Sequence, residues 1–183
     1  MLTMMVKRIF LFCCLLAIIG CQKADYTYTN LRARLTIENT YQAPALHTAC
    51  NSWGEFCTIT TSTDGKQFIF KGSSATSVIN INASATYSGF YLGLSGLIVG
   101  LPSIAEIGKT ESQVVCFDLA CSNCYQDYNI TKRLTLQGAT ATCNSCKRTY
   151  DLNNTGFVSN GESGRALYRY RVSYINNVLV VSN

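Results

Sequence analysis

Two cysteine pairs constrain this chain more than any other feature. Cys121-Ser122-Asn123-Cys124 and Cys143-Asn144-Ser145-Cys146 stand eighteen residues apart, a C-x2-C…C-x2-C spacing found in four-cysteine metal sites. A tight bend within each pair turns two sulfurs to one side. Two such knuckles facing each other close a tetrahedron of thiolates. The spacing therefore points to a metal or iron–sulfur site at Cys121, Cys124, Cys143 and Cys146 more than to a catalyst.

The N-terminal segment sets the compartment. Lys7 and Arg8 precede an apolar run from Ile9 to Ile19, too short to span a bilayer as a helix and built like a secretory signal peptide. It ends in Ile18-Ile19-Gly20-Cys21, which resembles the lipobox of bacterial lipoproteins, where cleavage precedes a cysteine that becomes acylated. On that reading residues 1–20 are the signal peptide, Cys21 is the lipid anchor and residues 21–30 are a tether. A multiply acylated cysteine holds stably to a membrane. The expected location is thus outside the cytoplasm, lipid-anchored to a bacterial membrane, with an outer-membrane periplasmic or surface face expected.

Removing the signal leaves 163 of the 183 residues, enough for one domain with its own core. The net charge falls from +5 to +3 with the loss of Lys7 and Arg8. The remaining basic residues form no stripe, the only adjacent pairs being Lys132-Arg133 and Lys147-Arg148. Nucleic acid is not an expected partner. Cys13 and Cys14 also leave with the signal, and with Cys21 acylated seven cysteines remain. An odd number cannot be used up by disulfides alone. Cys50 and Cys57 flank Asn51-Ser52-Trp53-Gly54 and are a possible disulfide, while Cys116 lies in an apolar run and reads as a small buried hydrophobe. An oxidising compartment keeps two disulfides among the four knuckle cysteines as the competing reading. Structural zinc contributes ~10–16 kcal/mol against ~2–4 kcal/mol for a disulfide, so metal wins wherever it is loaded before oxidation.

The rest of the chain reads as strands. Leu31, Ala33, Leu35 and Ile37 alternate with Arg32, Arg34, Thr36 and Glu38, the period of a half-buried strand. Short β-rich runs follow at 58–61, 67–71, 78–82, 97–101, 114–119, 134–136, 139–142, 149–152, 167–175 and 178–181, and Asp64-Gly65 reads as a hairpin turn. No sustained apolar stripe has helical period. The expectation is an all-β domain over 31–183, of packed antiparallel sheets or a partly open barrel. His47 reads as a solvated loop histidine. Tyr168, Tyr170, Val172 and Tyr174 share one strand face, opposite Arg169 and Arg171. No motif marks a catalytic set.

From Cys143 onward the chain resembles a known family. Cys143-Asn144-Ser145-Cys146, followed by Tyr150-Asp151-Leu152 and Thr155-Gly156, is similar to the second cluster-binding loop of Rieske iron–sulfur domains. Cys116-Phe117-Asp118-Leu119-Ala120-Cys121 resembles the approach to the first loop, and Gly161–Gly164 the closing glycine-rich loop. The resemblance covers about residues 96–183 and implies Rieske-like antiparallel sheets. They would carry a rubredoxin- or zinc-ribbon-like two-knuckle subdomain at about 116–156. It also departs from the family, because cysteines stand where a Rieske centre has histidines and the chain has one histidine in all, His47. A histidine-ligated cluster is therefore excluded. What remains is a four-cysteine [2Fe–2S] cluster of low potential, serving electron transfer to an unknown redox partner, or a zinc site without redox function. The alternative is a structural or binding lipoprotein, attached to the membrane through its lipid, in which zinc or two disulfides hold the knuckles.

Overall fold

The structure is a computed structural model that describes residues 28–81 and 89–183. The signal segment, Cys21 and residues 22–27 of the tether lie outside the described residues. Within them the protein is mostly β-sheet with two short helices, as the alternation in the sequence implies. In β1 (Ala33–Ile37) Ala33, Leu35 and Ile37 are buried while Arg34 and Thr36 are exposed, so one face meets a core and the other meets water.

Strands β2 (Glu55–Thr61), β3 (Gln67–Lys71), β4 (Thr76–Asn80), β5 (Tyr91–Leu92), β6 (Leu97–Leu101) and β7 (Val115–Asp118) are followed, much later, by β12 (Arg169–Ile175) and β13 (Val178–Ser182). With β1 they form one nine-stranded antiparallel sheet of order β4-β3-β2-β6-β7-β12-β13-β1-β5. Strand β12 joins its two halves. Arg169 and Tyr170 pair with Phe117 and Cys116 of β7, and Arg171–Ile175 pair with β13. Residues from both halves meet in one core that includes Leu35, Ile59, Phe70, Val99, Tyr170 and Val181. The sheet therefore wraps around that core.

Helix α1 (Pro44–Asn51) seals it, which differs from the expectation of a loop here. Pro44 at the first helical position needs no N–H partner, and Ala45, Leu46, Ala49 and Cys50 face the core. Two turns are too short for the repeat to stand out, yet the i, i+1, i+4, i+5 apolar spacing is helical. His47 lies on the other side of α1, with Nδ1 3.1 Å from Thr40 Oγ1 and its ring 4.4 Å from that of Tyr41. It is a packed polar residue and not a solvated loop histidine.

Everything between the neighbouring strands β7 and β12 is an excursion. It contains helix α2 (Ser122–Tyr128) and a second sheet of β8 (Thr135–Gln137), β9 (Thr140–Thr142), β10 (Thr149–Asp151) and β11 (Phe157–Asn160), in order β11-β10-β9-β8. Its inner residues Ala141, Tyr150 and Leu152 pack with Phe56, Ile98, Val115, Phe117 and Leu119 in a second core. Strands β6 and β7 are thus covered on both faces. Cys116 and Val99 point into the first core, Phe117 and Ile98 into the second. Truncating a residue such as Phe117 to alanine costs about 3–5 kcal/mol.

Asp118, the last residue of β7, secures the start of the excursion. Its carboxylate accepts from Tyr170 Oη at 2.6 Å, Leu94 N at 2.7 Å and Ala120 N at 2.7 Å. Burial pushes its pKa up, and these donors oppose that. Gly93 passes so close that a β-carbon there would collide with the Asp118 carboxylate and the Tyr170 hydroxyl. All three partners donate, so an amide at 118 would point its own N–H group at donors. Asp118→Asn is expected to lower stability by about 2–3 kcal/mol in urea denaturation, while Asp127→Asn, at an exposed position near the C-terminal end of helix α2, stays within about 0.5 kcal/mol. Equal effects of the two would remove Asp118 from this role.

Candidate metal centre

The four knuckle cysteines meet between the two sheets. Their sulfurs all lie within 4.8 Å of one another. The nearest pairs run across the knuckles, Cys121 Sγ to Cys146 Sγ at 3.6 Å and Cys124 Sγ to Cys143 Sγ at 3.8 Å. Neither is a bond, since a disulfide joins sulfurs at about 2.05 Å. All seven cysteines of the described residues are free thiols, including Cys50, Cys57 and Cys116, which are buried in the first core. No Cys50–Cys57 bridge is formed.

Different local structures position the two pairs. Cys121 is the N-cap of α2 and Cys124 lies in its first turn, so the i, i+3 spacing puts both sulfurs on one side of the helix. Cys121 N–H donates to Lys132 O at 2.8 Å, tying the helix start to the returning chain. Helix α2 ends where Asn129 takes a left-handed conformation, φ 54°. The second pair is the loop of the β9–β10 hairpin. There Cys143 N–H donates to Arg148 O and Lys147 N–H to Cys143 O, both at 2.9 Å, with Lys147 in the left-handed region at φ 62°. Cys121, Cys124 and Cys143 are buried, and Cys146 is half-buried at the rim.

Three polar residues that the sequence did not single out complete the site. Asn123 Oδ1 accepts from Arg165 N–H at 2.9 Å, and its Nδ2 donates to Tyr150 Oη at 2.9 Å. Since Tyr150 Oη already accepts that proton, its own proton is free for Cys121 Sγ, 3.0 Å away. A directed chain therefore runs from the 161–165 loop through Asn123 and Tyr150 to one sulfur. Gly164 packs against Asn123 so tightly that a β-carbon would clash with the amide. Buried Arg148 donates from Nη2 to Glu162 Oε2 at 2.7 Å and from Nε to Glu162 O at 2.9 Å, clamping the same loop to the second knuckle. In the sequence Tyr150 shows as a strand residue of the motif that follows the second knuckle, with no sign of its bond to Cys121, and Arg148 only as half of a basic pair.

The electrostatics distinguish the sulfurs. Burial pushes Cys124 far up, with hydrogen bonding from the neighbouring cysteines adding to it, and burial raises Cys121 as well. Burial also pushes Cys146 up, but the backbone N–H and guanidinium of Arg148, with hydrogen bonds from Cys121 and Cys143, outweigh it and bring the thiol to about 7. A divalent ion on four thiolates leaves two excess negative charges, which the positive charge of Arg148 beside Cys146 partly offsets. An ion held by all four thiolates would have a closed coordination sphere, with no position left for an activated water.

No protein family matches this chain, and no curated protein resembles it significantly.

In metal-free protein, Cys146 is expected to be alkylated first, with a rate that rises as pH passes about 7, while Cys124 stays unreactive. Arg148→Gln shifts the Cys146 midpoint upward. Peptide mass spectrometry across a pH series reads both; uniform alkylation of the four thiols would contradict the assignment.

Proposed function

We propose that this protein is an exported lipoprotein, anchored through acylated Cys21, whose β domain holds one tetrahedral metal ion on Cys121, Cys124, Cys143 and Cys146. Zinc is the ion the donor set favours. The observation that carries this reading is the compactness of the sulfurs, all within 4.8 Å and nearest at 3.6 and 3.8 Å. Four sulfurs at about 2.3 Å from one zinc are about 3.8 Å apart. A two-iron cluster pushes ligands of opposite irons further apart than ligands of a single ion. Bound there, the ion contributes folding energy and joins α2, the β9–β10 loop and, through Arg148 and Asn123, the 161–165 loop. The protein is then a structural or binding lipoprotein and no hydrolase. The anchor is supported by the charged-then-apolar segment ending at Cys21, and no helix among the described residues is long and apolar enough to cross a membrane.

A second reading, a Rieske-like electron carrier with a four-cysteine [2Fe–2S] cluster, is favoured by one observation. Tyr150 Oη lies 3.0 Å from Cys121 Sγ and Arg148 lowers the pKa of Cys146, and polar partners at ligand sulfurs tune the potential of a redox metal. The order of the two cysteine loops and the glycine-containing loop along the chain supports it too.

Purified protein is expected to be colourless, with about one zinc per chain. Cys124→Ser should lose the zinc and lower the melting temperature by many degrees, because metal binding is folding energy here. Affinity for zinc falls as pH drops, because Cys121 and Cys124 must give up protons to bind, and it falls more steeply below about 7, where Cys146 takes back its proton as well. Visible absorbance with iron and acid-labile sulfide would replace zinc by the cluster. Four oxidised sulfurs without metal would contradict both readings.

A further inference from the structure

The outer face of the β12–β13–β1 half of the sheet carries an arginine row. Register places Arg34 opposite Ser182, and Ser182 opposite Arg171, so the two guanidinium groups stand on one line across three strands. Tyr91 continues the line on β5, opposite Arg34. Arg32, the residue just before β1, lies over the Tyr91 ring at 3.5 Å. Arg171 and Arg169 lie 5.0 and 5.5 Å from the ring of Tyr28. Arg169 is paired with Glu106, whereas Arg32, Arg34 and Arg171 are exposed and form no ion pair among the described residues. Glu38 is the one other acid on this face of β1, beyond Thr36 at its far end. The tyrosines of β12 do not share this face. Tyr170 is buried and Tyr174 half-buried on the inner side, so the tyrosine face packs inward and the arginine face is the one left open.

We infer that this face lies against an anionic lipid surface. The inference rests on the anchoring of Cys21 proposed above. From Cys21 to Tyr28 there are seven residues, whose full extension is about 25 Å. Tyr28 itself sits over Arg169 and Arg171, and Thr29 N–H donates to Arg169 O at 2.9 Å. The tether therefore enters the domain on the edge of the arginine face and keeps that face within reach of the headgroups. Exposed guanidinium groups spread along an outer sheet face offer phosphate contacts, which suits headgroups. Aromatic rings beside guanidinium groups suit the membrane–water boundary. A lipid chain combined with a basic patch is a stable pair of membrane signals, and the arginine contribution is screened by salt.

The test uses the full chain as it is processed in the cell, reconstituted in vesicles of phosphatidylcholine with phosphatidylglycerol or of phosphatidylcholine alone. Phenylglyoxal labelling read by peptide mass spectrometry reports each arginine, and the N-terminal peptide reports acylation. Expected are an acylated Cys21 and several-fold protection of Arg32, Arg34 and Arg171 in the anionic vesicles only, lost at high salt, with exposed Arg133 and Arg165 unaffected. In the double variant Arg34→Gln and Arg171→Gln, Arg32 loses its protection. An acylated protein whose arginines react equally in both vesicles overturns this inference and leaves the anchor standing. A Cys21 without lipid overturns the anchor and this inference with it.

Discussion

The structure depends on two strands covered on both faces, β6 and β7, together with the Phe56 end of their neighbour β2. Strands β2, β6 and β7 send Cys57, Val99 and Cys116 into the core that the wrapped sheet closes around, and Phe56, Ile98 and Phe117 into the core beneath the second sheet. A sheet face that would otherwise need water thus becomes the floor of the excursion carrying the four cysteines. The excursion leaves from β7 and returns to β12, its neighbour in the sheet. The Asp118–Tyr170 hydrogen bond joins those two strands at the point of departure. The sulfurs are held by a floor that cannot shift without disturbing two cores, which is the preorganisation a metal site needs from its scaffold.

Above that floor the site is held by polar contacts more than by apolar packing. Helix α2 supplies one pair of sulfurs and a hairpin loop the other. The 161–165 loop reaches both, through Asn123 on one side and Arg148 on the other. Hydrogen bonds to ligand sulfurs come from both sides as well. Without an ion, four thiols at this separation include one, Cys146, that ionises near neutral pH and two, Cys121 and Cys124, that burial pushes toward the protonated form. A cation removes this conflict by favouring the thiolate at every position.

Much of this was legible in the sequence because its signals were local. The period-two alternation of Leu31–Glu38, the runs at 67–71 and 97–101, and the Asp64-Gly65 turn all correspond to strands and a hairpin in the fold. The cysteine spacing named the four residues that meet. What the sequence did not show was set by tertiary context or by short length. Strand β5 has two residues and pairs only because β1 lies beside it. The first knuckle is a helix start, because Cys121 acts as N-cap to a seven-residue helix too short to show a period. Lys147 takes a left-handed conformation where glycine would have signalled the bend. The role of Asn123 depends on a loop 42 residues further along the chain, and that of Tyr150 on Asn123, 27 residues before it, which no local pattern reports. The Rieske-like character read from the order of these loops stays a proposal. The pairing of the strands does not by itself identify it.

The central claim is that four sulfurs surround a single ion. X-ray absorption at the metal edge of the purified protein tests it directly. One shell of four sulfurs at about 2.3 Å with no metal neighbour is expected. A metal–metal scattering peak, or oxygen or nitrogen in the first shell, would contradict it.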